Sequence, residues 1–255
     1  MPKFVCSSAA PAAALLVASM AAGAQSAADA AATPVVVIVR IPKPWYAPRA
    51  VVVSKMRDSV AQYAKLPGLA FKAFSFERDS GDFGGVYFWR DRASATAWFD
   101  GAWFERVRKE RGSEGQVRTF DAPVSVDNTA GGTAAQDDSK SMVTLVEIPV
   151  PPGLTRERLT AGLRAAVPEY QKVPGLLRKH FILSEVGAAA PTFGGVYLWR
   201  DEAAARAWFN EAWQARVRST YGQPPRIEWF DTPILLPTQD SANSVPPSAM
   251  IVATP

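Results

Sequence analysis

The segment FGGVYFWRDRASATAWFDGAWFERVR at 83–108 returns as FGGVYLWRDEAAARAWFNEAWQARVR at 193–218, identical at 18 of 26 positions. Chance does not produce such a match, and it continues outward in both directions. Ile41-Pro42 answers to Ile148-Pro149, Leu66-Pro67-Gly68-Leu69 to Val173-Pro174-Gly175-Leu176, and Phe120-Asp121-Ala122-Pro123 to Phe230-Asp231-Thr232-Pro233. The offset is 107 before the Gly-Gly pair and 110 after it, so three added residues fall around Gly187-Ala188-Ala189-Ala190. The chain reads as two copies of one unit of about 95 residues.

Within each copy the pattern predicts one order of elements. Val35 to Ile41 is a β-branched run ending at a proline, hence a strand. Val53, Met56, Val60 and Tyr63 then recur at helical spacing, as do Leu159, Leu163, Val167 and Tyr170 behind a Thr155 cap. Pro168 is expected to bend or shorten that second-copy helix. The Pro-Gly turns at 67–68 and 174–175 introduce a second strand, and Gly84-Gly85 and Gly194-Gly195 read as hairpin starts leading a third. Asp91 and Asp201 sit as N-caps of a further helix carrying Ala95, Trp98, Phe99 and Ala102, or their counterparts, on one face. A last strand is expected to end at Phe-Asp-x-Pro. The order β-α-β-β-α-β is the split βαβ, ferredoxin-like arrangement, an α+β class. One unit would leave the second face of its sheet uncovered. The expectation is therefore two ferredoxin-like units closing into an intrachain dimeric αβ-barrel.

Around the repeats the composition changes. Lys3 is the only charge in residues 1–24, followed by an Ala/Leu/Val run and a small-x-small ending at Ala22-Gly23-Ala24, the three parts of a secretory signal peptide. Residues 25–33 read as a flexible lead-in, 34–126 as the first repeat, 127–141 as a polar Gly-containing linker, 142–237 as the second repeat and 238–255 as a tail. Export to the periplasm or beyond is expected. Cys6 is the only cysteine and would leave with the leader, so burial and not disulfides must stabilise the mature chain. No apolar run after the leader approaches the ~20 residues of a membrane span. The formal charge of +4 is spread among acids, which argues against a nucleic-acid partner.

The run PGLLRK at 174–179, GGVYLWRDE at 194–202 and FDTP at 230–233, with the Ala/aromatic helix between them, resembles the YdhR-like family of proposed monooxygenases. That family belongs to the dimeric αβ-barrel superfamily, beside the antibiotic-biosynthesis monooxygenases. The resemblance implies the fold strongly and the activity weakly, because this superfamily hosts oxygenases, haem proteins and non-catalytic binders. Relatives are single units that dimerise and carry no leader, unlike this chain. It also lacks the Asn/Trp/His constellation of the quinone-forming oxygenases, so no catalytic residue is carried over.

The residues themselves offer few sites. His180 is the lone histidine, with Ala73 as its first-copy counterpart. It is a candidate general base, a candidate axial haem ligand, or an ordinary strand residue. As an essential base it would make activity fall below about pH 6. Tyr87, Trp89, Trp98 and Trp103 recur as Tyr197, Trp199, Trp208 and Trp213, suited either to core packing or to lining a pocket for a planar ligand. Trp45-Tyr46 has no aromatic counterpart and is a candidate rim in the first copy. Arg106/Arg108 and Arg216/Arg218 fit a helix C-terminus or an anion site. No metal-ligand cluster, phosphate loop or dinucleotide fingerprint is evident, and no cofactor is expected unless haem. The leading expectation is an exported protein that binds a hydrophobic, aromatic small molecule and acts as a cofactor-independent monooxygenase. The alternatives are a non-catalytic ligand- or partner-binding protein, possible further self-association included, and a haem-binding protein.

Overall fold

The computed structural model describes residues 32–129 and 140–237. The expected leader, most of the linker and the tail after Pro237 lie outside them. The first half runs β1 (Val35–Ile41), α1 (Arg49–Tyr63), β2 (Leu69–Glu77), β3 (Phe83–Trp89), α2 (Arg92–Trp98), α3 (Gly101–Arg111) and β4 (Gln116–Asp127). The second repeats it as β5 (Met142–Pro149), α4 (Arg156–Tyr170), β6 (Leu176–Ser184), β7 (Thr192–Trp199), α5 (Glu202–Trp208), α6 (Glu211–Tyr221) and β8 (Arg226–Pro237). All neighbouring strands are antiparallel and close into one barrel in the order β1-β3-β2-β8-β5-β7-β6-β4. The architecture is α+β, an eight-stranded closed barrel with helices outside it.

Strand alternation divides the apolar residues into layers. Val36, Ile38, Val86, Phe88, Phe120, Val143, Leu145, Val196, Leu198 and Phe230 point inward and fill the barrel. Val35, Val37, Val39, Tyr87 and Trp89 point outward and pack under α1–α3, and Val146, Tyr197 and Trp199 do so in the second half. Both faces of the sheet are therefore buried without any second domain.

Four local expectations are corrected. The final strands do not stop at Phe-Asp-x-Pro but run on to Asp127 and Pro237. Pro123 falls where the β4–β6 register shifts between Asp121 and Val124, and Pro233 where the β2–β8 register shifts, so neither needs an N–H. These continuations are what join the halves. The helix after β3 is two helices, not one. Phe99 and Phe209 leave helical geometry, and Asp100 and Asn210 accept hydrogen bonds from the Trp103 and Trp213 amides at 2.8 and 2.9 Å. Short polar side chains compete for the backbone in this way, and the break turns Trp103 and Val107 inward while Ala102 stays exposed. Pro168 does not shorten α4, which spans 15 residues like α1 and still bonds Gln171 N–H to the Val167 carbonyl. Finally, Gly84-Gly85 lies inside β3 rather than at a hairpin start. A Cβ on Gly84 would stand 2.1 Å from the Val39 carbonyl oxygen, so the close strand approach requires glycine there. The caps at Asp91, Asp201 and Thr155 are as expected.

The two junctions between halves carry corresponding ion groups with one exchange of sign. Asp231 binds Arg49 at 2.8 Å and Arg78 at 2.7 Å, and Arg78 also binds Glu202 at 2.9 Å. At the other junction Asp121 binds Arg156 and Arg92, and Arg92 also binds Glu185. Arg78 corresponds to Glu185, and Arg92 to Glu202. A half facing its own copy would thus set Arg78 against Arg92, or Glu185 against Glu202. The sign exchange favours pairing of unlike halves. Arg78→Glu is expected to lower the urea midpoint by an amount worth roughly 1 kcal/mol, and Arg78→Glu/Glu202→Arg to recover part of it. Additive losses in that double-mutant cycle would show that the pair carries no coupling.

Candidate functional site

A partly open cavity of about 440 Å³ lies between the sheet and helices of the first half. Its floor is Val39, Phe74, Gly84 and Tyr87, and its walls are Val52, Met56, Tyr63, Trp98, Trp103 and Val107. Lys55, Arg106, Glu110 and Arg111 also line it, and so does Tyr46, which is otherwise largely exposed. The size suits a drug-sized organic ligand, and the wall mixes apolar and aromatic side chains with polar ones such as Gln62, Tyr63 and Lys72. A larger open depression of about 590 Å³ sits at the barrel mouth beside Arg118, Glu147 and Arg226. Its charges are already matched: Arg118 grips both Glu147 oxygens at 2.7 Å, and Glu228 takes Arg226 at 3.1 Å as well as Arg40. A shallow surface of self-paired ions offers a ligand little.

The cavity floor holds a group that sequence reading passed over. Lys72 is 1 % exposed, yet its Nζ stands 3.0 Å from the centroid of the Tyr63 ring, 3.8 Å from Phe74 and 4.4 Å from Tyr87. The Tyr87 hydroxyl donates to the Tyr63 hydroxyl at 3.5 Å. Among the described residues no carboxylate pairs with Lys72. Burial pushes its pKa well below the usual lysine range. Desolvation works against the ammonium, while the three ring faces favour it, each by about 2 kcal/mol. Burial also holds the Tyr87 and Tyr63 hydroxyls protonated, their pKa values raised.

The second half repeats the cage. Lys179 Nζ lies 3.1 Å from Tyr170, 3.7 Å from Phe181 and 4.5 Å from Tyr197. Each lysine stem crosses a glycine: a Cβ on Gly85 would come 3.0 Å from Lys72 Cε, and one on Gly195 2.9 Å from Lys179 Cε. The second glycine of each Gly-Gly pair makes room for the amine. The surroundings differ, however. Leu154 and Tyr221 stand at the positions of Ala47 and Arg111 and join the apolar cluster, Tyr221 against Phe193 at 5.0 Å. The second-half layer therefore carries two apolar or aromatic side chains where the first has a small and a charged one. The signal available in the sequence was the same lysine in both copies, in phase with Phe74 and Phe181 on an otherwise buried strand.

The structure brings together Tyr87, Trp98 and Trp103 of the expected aromatic residues, with Arg106 5.9 Å above the Trp98 ring. Trp89 and Trp199 are packing residues away from the cavity, and Trp199 donates to Thr144 at 3.0 Å. Tyr197, Trp208 and Trp213 hold the equivalent places under α4–α6. His180 is elsewhere. It lies inside the barrel against Phe88, ring centroids 4.4 Å apart, lines neither space described above, and pairs along the strands with Ser125 and Val196. The residue keeps part of its surface in contact with solvent. Burial first, and then Arg178, push its pKa down to about 4, with Asp127 opposing. A fall in activity near pH 6 is therefore not the signature this histidine would give.

No family model and no curated protein matches this chain. Solved structures do. A candidate monooxygenase from Fusobacterium nucleatum superposes with a TM-score of 0.60 at 12 % identity, covering 81 % of this chain and 95 % of that one. An anthrone oxidase-like protein gives 0.54 at 15 %, covering 82 % and 95 %. A candidate monooxygenase from Lactobacillus acidophilus gives 0.53 at 11 %, covering 80 % and 96 %. At these identities the likeness is one of fold.

Because the native pKa of His180 is about 4 against 6.5 unfolded, the native state binds fewer protons between those values. Its contribution of about 3 kcal/mol is complete above pH 6.5 and lost as pH falls towards 4. Urea titrations at pH 7 and 4.5 should show the wild type losing more stability than His180→Phe. Equal losses would place the imidazole in contact with water. The chain shares the αβ-barrel fold of proteins named as monooxygenases, with its own cavity under the helices of the first half.

Proposed function

We propose that this chain binds a hydrophobic aromatic compound in the first-half cavity and oxygenates it without a cofactor. The observation that carries the reading is a cavity lined by Tyr63, Tyr87, Trp98 and Trp103 that also holds a single buried amine, Lys72. It also rests on the shared fold of proteins named as monooxygenases and anthrone oxidase-like. The chemistry suits such a cavity. A ring carbon acid loses a proton, and the carbanion reduces dioxygen to a peroxide adduct, which collapses to a carbonyl and water. One oxygen atom enters the product, the other leaves as water, and the substrate supplies all the electrons. Excluding bulk water keeps the carbanion from simply regaining its proton.

Two further parts belong to this proposal. The chain is a duplicated unit that serves as its own dimer, supported by the repeat and the sign-exchanged junctions. It is an exported protein, supported by the charge and apolar pattern of residues 1–24.

Anthrone under ¹⁸O₂ is the direct assay. The expected result is one labelled oxygen per quinone formed, undiminished by chelators. Met56→Trp, which fills the cavity, should reduce the rate at least tenfold, while Leu163→Trp in the second half should leave it largely intact. Tight binding of anthrone without label incorporation would instead support the non-catalytic ligand-binding reading.

A further inference from the structure

We infer that Lys72 is the proton acceptor of the first-half cavity, which therefore selects weakly acidic aromatic compounds, phenols and ring carbon acids, and holds them as anions. This deepens the proposed function and rests on it for the location of the ligand, but not for oxygen chemistry.

The geometry supplies each requirement. Lys72 lines the cavity, and its Nζ has three rings and no carboxylate partner among the described residues. Burial has already lowered its proton affinity towards that of the acids it would meet. After transfer, the N–H bond formed replaces the O–H or C–H bond broken, and no electron acceptor is needed. The resulting ammonium has two stabilising neighbours. The rings of Tyr63, Phe74 and Tyr87 present their faces within 3.0–4.4 Å, and the new anion lies against it. Before transfer only the rings stabilise the charge, and after it the anion does so as well, so a bound acid favours the transfer.

The other titratable groups facing the cavity fit this division of labour. Tyr63 and Tyr87 are raised in pKa, so they stay protonated and can donate to an anion rather than compete for its proton. Lys55, Arg106 and Arg111 outnumber Glu110 among the remaining charged lining residues, which favours an arriving acid. Lys179 has the same cage, but Leu154 and Tyr221 stand where the first half has Ala47 and Arg111, and the amide of Gln62 is replaced there by Glu169, whose charge favours the protonated form. Lys179 is thus the built-in control.

The test uses 4-nitrophenol, which is yellow as phenolate and nearly colourless as phenol, at a pH one unit below its own pKa. The full-length protein is expected to bind one equivalent and to generate the phenolate band on binding. Lys72→Met should bind 4-nitrophenol at least tenfold more weakly and without the band, while binding of 4-nitrotoluene, which has no acidic proton, stays within twofold of wild type. Lys179→Met should behave as wild type. Wild-type protein that binds the probe only as colourless phenol overturns the assignment of Lys72 and leaves the cavity reading standing. A band that survives Lys72→Met overturns it equally. Failure of both probes to bind wild type removes the cavity reading and this inference together. Should the methionine variant fold poorly, Lys72→Arg, which keeps the charge but cannot accept a proton, decides the matter. It is expected to bind 4-nitrophenol with release of about one proton to the buffer, whereas wild type keeps that proton on Lys72 and releases none. Equal release by both overturns the assignment.

Discussion

The continuation of β4 and β8 past their prolines is the constraint on which the rest depends. Without it each half would present a four-stranded sheet with two open edges and one uncovered face. With it, β4 pairs with β6 and β8 with β2, every strand has two neighbours, and the inner faces meet. A closed sheet has no edge to protect. Closure also decides where a ligand can go. The inner face is filled by Val, Leu, Ile and Phe side chains, and the cavity that holds Lys72 lies in the layer between sheet and helices.

In that layer the two halves began alike and ended unlike. Both retain the amine, the three rings around it and the glycine that admits its stem. An unpaired lysine on a buried strand is expensive for stability, because several kcal/mol of desolvation must be met by packing elsewhere or by deprotonation. Its presence in both copies is what separates these positions from ordinary core. Ala47 and Arg111 against Leu154 and Tyr221 then distinguish the first half from the second.

The fold was largely legible because duplication prints the same period twice, and because Asp91, Asp201 and Thr155 obey simple capping chemistry. What escaped did so for identifiable reasons. Asp100 and Asn210 read as polar residues in mid-helix, since the pattern on both sides stays helical and the break is local competition for the backbone. Pro123 and Pro233 read as strand ends because a proline normally removes a ladder bond, and only the register shift makes them harmless. The aromatic residues were visible, but Tyr87 and Trp89 share one face of β3, and only Tyr87 lines the cavity. Lys72 was hidden by its own context: one cation among Phe71, Phe74 and Phe76 draws less notice than a lone histidine. His180 is unusual in sequence and is held neutral away from the cavity.

The most direct measurement is the titration of lysine Cε resonances in the ¹³C-labelled protein, assigned through Lys72→Met and Lys179→Met. The account predicts two resonances titrating well below the ordinary lysine range of about 10.4. On addition of 2-naphthol, that of Lys72 should move to the ammonium position while those of Lys179 and the His180 ring stay put. Lysines that all titrate near the ordinary value, or a response at His180 with none at Lys72, would contradict it.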